Sequence, residues 1–249
     1  MSFSDDEIER YARHLVLAEI GGPGQQRLKA ARVGVVGMGG VGAPAALYLA
    51  AAGVGSLRLI DPDEVALSNL QRQIAFGGPD IGLPKVEAAE ARLVALNPHV
   101  EIESAPERLT PDNAAWLLEG CDVVLDGTDD FGTRFATNAA CVAAGAPLVS
   151  GALGRWSGQV GVFRGRPCYR CLVAEAPPEA ETCARVGVVG ALAGVVGSMA
   201  ALEAVKLITG AGEPLEGRLL LYDGLAGTAR TVTLAADPAC PVCAPGALP

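Results

Sequence analysis

Arg72 and Lys85 stand ahead of three carboxylates, Asp126, Asp129 and Asp130, in the run "DGTDD". Cations of this kind neutralise phosphate, and a magnesium ion is held by one or two carboxylates together with phosphate oxygens and water. The set therefore points to a metal–phosphate ligand. Arg72 belongs to the polar cluster "SNLQRQ", Ser68 to Gln73, and Lys85 opens the helix that follows. Asp129 or Asp130 could instead cap the helix that starts near Phe131.

The cysteines suggest a second kind of chemistry. "CYRC", Cys168 to Cys171, and "CPVC", Cys240 to Cys243, are two C-x-x-C pairs. Each offers two thiolates from a tight knuckle, and together they complete a tetrahedral Cys₄ zinc site. A site with no open position is structural, and this one would staple the C-terminal tail to the body. Cys121 and Cys141 sit among apolar residues and read as core. Cys183 follows the loop "VAEAPPEAE", precedes a glycine-rich helix and lies beside Arg185. Its thiolate would be favoured there, as a nucleophile requires, although an incidental loop cysteine fits the same position.

These residues are positioned by alternating strands and helices. Ser4 and Glu7 form a capping box, and Ile8, Tyr11, Ala12 and Leu15 recur at helical spacing. An amphipathic helix thus opens an N-terminal arm over 1–27, which "GGPG" at Gly21 to Gly24 ends. "RVGVVG" is an apolar β-run, "GMGGVG" a glycine turn with G-x-G-x-x-G at Gly37, Gly39 and Gly42, and "SLRLID" a second strand ending in Asp61. Such a turn lets backbone N–H groups approach phosphate, and Asp61 stands where a ribose would be held. NAD, FAD and an adenine nucleotide fit equally well up to this point. No Lys follows Gly42 as it would in a P-loop, so charge for a triphosphate must come from elsewhere.

Further helices are expected over "KVEAAEARLVALNP", over "TPDNAAWLLEG" with Thr110 as cap, and from Phe131 to Gly145. Strands are expected at "VEIES", "CDVVLDGTDD", "PLVSGAL" and "QVGVFRG", with a closing antiparallel hairpin of "GRLLLYDG" and "TARTVTLA". The reading is a single domain over 1–249, an α/β Rossmann-like doubly wound sheet, mostly parallel with antiparallel C-terminal strands. Residues 172–183 read as a mobile crossover loop. The long uncharged run from Val186 to Leu202 reads as a core helix, since it falls short of the ~20 apolar residues of a bilayer span.

Half of the residues are hydrophobic and 19% are charged, as in a compact globular protein. A formal net charge of −9 argues against a nucleic-acid partner held on a general basic surface. The acidic start "MSFSDDEIER" lacks the features of a signal peptide, which points to the cytoplasm and away from a membrane.

In combination, "RYARHLVLAEIGGPGQQRL", "GMGGVG", "SNLQRQ", "LPKVEAA", "LNP", "DGTDDFGTRF", "CYRC", "VGSMAALEAVKLITG" and "CPVC" resemble the MoeB/ThiF group of adenylyltransferases, bacterial relatives of ubiquitin-activating enzymes. The resemblance implies adenylation by Mg-ATP of the C-terminal glycine of a small ubiquitin-like sulfur carrier protein ending in Gly-Gly. It further implies that Gly40, Asp61, Ser68, Asn69, Leu70, Gln71, Arg72, Lys85, Asp129 and Asp130 lie along the nucleotide, and that Asp129 binds Mg²⁺. Arg13 in "RYARH" matches an arginine that reaches the neighbouring subunit's site, which implies a homodimer. Asp130 stands where the family often has Asn, and Cys183 matches a loop cysteine that is covalently used in some relatives. No rhodanese-like extension follows "CPVC", so a separate sulfur donor is implied. An NAD-dependent oxidoreductase would explain the glycine turn and Asp61 but not Arg72, Lys85, Asp129 or the cysteines. A non-catalytic subunit or docking module would not need the charged set.

Overall fold

The structure is a computed structural model of the chain, describing residues 3–177 and 187–246. Its centre is β1 (Arg32–Val36), whose run of Val and Gly is buried on both faces of the sheet. β2 (Ser56–Ile60) and β4 (Val123–Asp126) flank it in parallel, with β3 (Glu101–Ala105) beyond β2 and β5 (Leu148–Leu153) beyond β4. β6 (Ser157–Phe163), β7 (Arg218–Asp223) and β8 (Thr228–Thr233) then add antiparallel. The eight-stranded order is β3-β2-β1-β4-β5-β6-β7-β8, so the chain reverses its direction of travel between β1 and β4. Open sheets of this kind bind ligands in the crevice outside the strand carboxyl ends at that reversal.

The arm is built differently from the single helix expected. α1 (Asp5–Arg10) and α2 (Ala12–Leu15) are separate, and "GGPG" begins α3 (Gly21–Ala30) instead of ending the arm. Pro23 lies in the first turn of α3, where a missing N–H is tolerated, and Gly24 gives Ile20 room, since a Cβ there would lie 2.9 Å from the Ile20 Cγ2. The face expected to be buried is only partly so: Tyr11 is 4% exposed but Ile8 48%. Tyr11 lies under the turn at Gly53, where its hydroxyl accepts from Asn97 Nδ2 at 2.9 Å. His14 bonds Gln25 and His99 bonds Asp6, so both histidines serve the docking of the arm.

α4 (Gly42–Ala51) follows the glycine turn, and its small residues Ala43, Ala45, Ala46 and Ala50 are buried. α5 (Lys85–Leu96) and a short α6 (Ala114–Leu117) connect the parallel strands. The expected Thr110 cap is absent, because Asn113 turns its side chain back to accept from the Thr110 backbone N–H at 2.7 Å and the helix starts after it. α7 (Phe131–Ala144) ends at Gly145, and α8 (Tyr169–Leu172) is a single turn that starts within "CYRC". α9 (Gly190–Thr209) is the long apolar helix, starting at Gly190, with Val186 outside the described residues. By length and composition α9 could cross a membrane, but its face bearing Ala193, Val196, Gly197, Ala200 and Ala204 is buried, and it packs on α4, β5 and β6. Gly197 sets the closeness of that crossing: a Cβ there would lie 2.5 Å from both Pro44 Cγ and the Val41 carbonyl oxygen.

Candidate active site

A cleft of about 370 Å³ opens at the carboxyl ends of β1, β2 and β4. Its floor is backbone. Gly37 adopts φ +87°, and its N–H donates to the Ile60 carbonyl at 2.8 Å, while Gly127 donates to Val36 at 2.9 Å. The turn and the "DGTDD" loop pack main chain on main chain, because a Cβ at Gly127 would lie 2.7 Å from the Gly42 nitrogen. Gly37 and Gly42 are thus demanded by packing. Gly39 is different: a Cβ there would have only Gln73 Nε2 at 3.9 Å and the Gly127 oxygen at 4.0 Å nearby. Gly40 lines the cleft beneath α9, where its Cβ would meet that of Ala193 at 3.1 Å.

Asp61, at the end of β2, is 5% exposed and accepts from the N–H of Met38 at 2.6 Å and of Asp63 at 2.8 Å. Burial pushes its carboxyl up, against the pull of Lys85 and these two donors. Lys85 is itself buried and bonds Asp63 at 2.8 Å, with Asp61 at 3.9 Å. A cation so placed can turn to an incoming anion by releasing the more exposed Asp63. Asn69 and Arg72 come from the short helical turn Leu67–Asn69 and the residues after it. Arg72 donates to the Ser68 carbonyl at 2.9 Å and forms no ion pair among the described residues, so its charge remains for a ligand.

The two neighbouring aspartates divide their work. Asp130 is the N-cap of α7, accepting from the Thr133 N–H at 2.7 Å and hydroxyl at 2.8 Å. Asp129 is exposed at the rim and makes no hydrogen bond among the described residues, as suits a metal ligand. Asp126 lies below the cleft. One oxygen holds the Thr128 N–H at 3.0 Å and its hydroxyl at 2.7 Å, and the other is buried with no hydrogen-bond partner.

Of the residues expected along the ligand, Gly40, Asp61, Asn69, Arg72, Lys85, Asp129 and Asp130 line this cleft together. Ser68, Leu70 and Gln71 do not. Ser68 and Gln71 face solvent, Leu70 packs toward the core, and the Gln71 carbonyl abuts Gly190 at the start of α9. They shape the loop that presents Asn69 and Arg72. Arg13 is exposed on α2, outside its own chain's cleft, and Cys183 lies outside the described residues.

Gln73, Arg134 and Tyr169 also line the cleft, although each lay unremarked within a motif already noted. Gln73 is 3% exposed with its side-chain carbonyl unpartnered. Burial works against the charge of Arg134, but Asp126 and Tyr169 hold it firmly protonated. Nothing in the surrounding sequence sets these three apart, and their places in the cleft come from neighbours across the sheet.

The four cysteine sulfurs form a cluster, all within 4.8 Å of one another, with Cys168–Cys240 at 3.6 Å and Cys171–Cys243 at 3.4 Å. Four thiolates about one tetrahedral ion with bonds of about 2.3 Å are separated by about 3.8 Å, so the set suits a closed metal site. Outer donors are in place: Asn138 Nδ2 lies 3.5 Å from Cys168 Sγ and the Asp237 N–H 3.4 Å from Cys171 Sγ. Cys121 and Cys141 are buried in the core, as expected, and burial pushes both thiols up.

A glycine turn at the sheet's reversal, a buried carboxylate at the end of β2 and the cations Arg72 and Lys85 meet in one cleft of a doubly wound α/β fold. The chain belongs to the ThiF family, whose model matches residues 11–242. It is 46% identical over 252 residues to the sulfur carrier protein adenylyltransferase of Thermus thermophilus, covering 98% of this chain and 93% of that one. It is 45% identical over 249 residues to the SAMP-activating enzyme E1 of Haloferax volcanii, covering 99% and 92%. The probable adenylyltransferase/sulfurtransferase MoeZ of Mycobacterium tuberculosis is 46% identical over 248 residues, 96% of this chain but 63% of MoeZ. Among solved structures, E. coli MccB shares the fold at a TM-score of 0.85 and 22% identity, over 97% of this chain and 76% of that one.

Proposed function

We propose that the protein uses ATP to adenylate the C-terminal glycine of a small ubiquitin-like sulfur carrier protein, releasing pyrophosphate and preparing the carrier for thiocarboxylate formation. The observation that carries this reading is the convergence of Asp61, Asn69, Arg72, Lys85 and Asp129 on one cleft. A second cleft of about 660 Å³ over β6, β7 and β8 shares Ala152, Leu153 and Gln159 with the first. An extended tail lying along that groove would deliver its terminal carboxylate to the nucleotide.

In the reaction, a carboxylate oxygen of the glycine forms a bond to the α-phosphorus, and the bond to the bridging oxygen breaks as pyrophosphate leaves with its electron pair. The nucleophile is already ionised, so no general base is required. The obstacle is repulsion between anions. Arg72 and Lys85 oppose it, Asn69 orients the phosphates and Asp61 accepts from the ribose. The cleft sets four cations, Arg72, Lys85, Arg108 and Arg134, against five carboxylates, Asp61, Asp63, Glu107, Asp129 and Asp130, so a triphosphate needs further positive charge. Asp129 would hold a magnesium ion, which supplies that charge when bound.

The reading extends to a homodimer in which Arg13 enters the neighbouring site, to zinc in the cysteine cluster, and to a separate sulfur donor. Cys183 would act, if at all, in transfer after adenylation. The protein would work in the cytoplasm, with neither nucleic acid nor a membrane as partner. The test is pyrophosphate exchange. Protein, Mg-ATP, labelled pyrophosphate and small Gly-Gly-ending carriers should give labelled ATP, and no exchange with any such carrier would overturn the reading.

A further inference from the structure

The cysteine cluster and the cleft are joined by hydrogen bonds at both ends of Tyr169 and by the side chain between them. Tyr169 lies between Cys168 and Cys171 and is 2% exposed. Its N–H donates to Asn138 Oδ1 at 2.8 Å, and the other end of that amide donates to Cys168 Sγ at 3.5 Å. Its ring meets Phe163 edge-on at 5.5 Å and Phe135 at 6.2 Å. Its hydroxyl accepts from Arg134 Nη1 at 3.3 Å. The same guanidinium donates to Ser150 Oγ at 3.4 Å, to the Gly151 carbonyl at 3.0 Å and to the Thr128 carbonyl. Thr128 is followed directly by Asp129.

Arg134 and Asn138 are one helical turn apart on α7, so they share a face. One grips the cysteine knuckle and the other the "DGTDD" loop. The guanidinium presents its donors in a rigid planar fork, so its orientation is set by all of its acceptors together. Loss or displacement of the Tyr169 oxygen leaves a buried donor unmet and frees the fork to turn.

We propose that Tyr169 and Arg134 are positioning residues, a strut through which a metal ion in the cysteine cluster holds the Thr128–Asp129 turn ready for the divalent cation of the cleft. This rests on the reading of the cleft as a Mg-ATP site. It gives the cysteine cluster a part in nucleotide binding beyond stapling the tail, and it makes the two metal sites energetically coupled.

The test is calorimetric binding of a non-hydrolysable ATP analogue across a series of Mg²⁺ concentrations, without any carrier. In metal-loaded protein, Tyr169→Phe and Arg134→Lys should raise the Mg²⁺ needed for half-maximal binding roughly 5–10-fold. Affinity at saturating Mg²⁺ should be little changed, a pattern that a merely destabilised fold would not give. Chelating the cysteine-bound metal from the wild type should produce the same shift, reversed by added Zn²⁺, and should add nothing in Tyr169→Phe. Wild-type Mg²⁺ dependence in both variants would overturn the proposal, as would an equal effect of chelation on wild type and Tyr169→Phe. Should chelation unfold the chain, the loaded variants decide alone. Loaded wild type that binds no analogue at any Mg²⁺ concentration would instead remove the Mg-ATP reading itself.

Discussion

Asp130 and Thr133 close the first turn of α7 on each other, the carboxylate accepting from the Thr133 N–H at 2.7 Å and hydroxyl at 2.8 Å. Partial burial works against ionisation of Asp130, but these donors outweigh it and hold the carboxyl below its usual range. A depressed carboxyl stabilises the fold above its unfolded value near 4 and loses that contribution as the pH falls through its folded value. Asp130→Ala should cost about 1 kcal/mol by denaturant unfolding at neutral pH. Asp130→Asn should keep most of the cap and lose its acid sensitivity. Equal losses in the two variants would show that the cap is not what Asp130 supplies.

The neighbouring carboxylate should behave in the opposite way. Asp129 caps nothing, so Asp129→Ala should leave the melting temperature unchanged while lowering pyrophosphate exchange by roughly 100-fold or more. Arg72→Ala should lower it to a similar degree. Exchange retained in Asp129→Ala would withdraw the magnesium assignment.

Elemental analysis should find about one zinc per chain. Metal binding to four thiolates contributes folding free energy, so chelation should lower the melting temperature. Cys240→Ser, at a sulfur 3.6 Å from Cys168, should reduce the zinc content and the melting temperature together. A metal-free protein with an unchanged melting temperature would end the zinc reading.

Within the turn, two glycines should respond differently to one added methyl group. A Cβ at Gly42 would lie 1.9 Å from the Gly37 carbonyl oxygen, so Gly42→Ala should destabilise the fold by about 3 kcal/mol. Gly39→Ala has space, with nothing nearer than 3.9 Å, and should keep its stability but weaken nucleotide affinity by crowding the cleft. Calorimetric melts and nucleotide titrations of the two variants separate these effects, and similar melting temperatures would contradict the packing described.

The centre of the parallel sheet was legible because β1, β2 and β4 are short apolar runs closed by glycine or aspartate, as in "RVGVVG" and "SLRLID". The cysteine cluster was legible for a related reason, since two matched knuckles have few uses besides a shared ion. The arm was less so: "GGPG" carries the composition of a break, yet Pro23 falls in a first turn and the helix runs through. Which of Asp129 and Asp130 caps α7 depends on where the helix begins, and neither residue type determines that. Gln73, Arg134 and Tyr169 gain their places from partners across the sheet, so their spacing along the chain carries no mark of the cleft.

The crossing of α9 over α4 also orders events in time. Gly197 rests against Val41 and Pro44, and Ala193 faces Gly40, so a loop encoded near the N-terminus is completed by residues that leave the ribosome far later. At synthesis rates of about 5–20 residues per second, the turn and the start of α4 wait roughly 8–30 seconds for the helix that covers them. Until then the apolar flank of α4 lies open, and a nascent chain stalled before Gly190 would present the glycine turn with no roof.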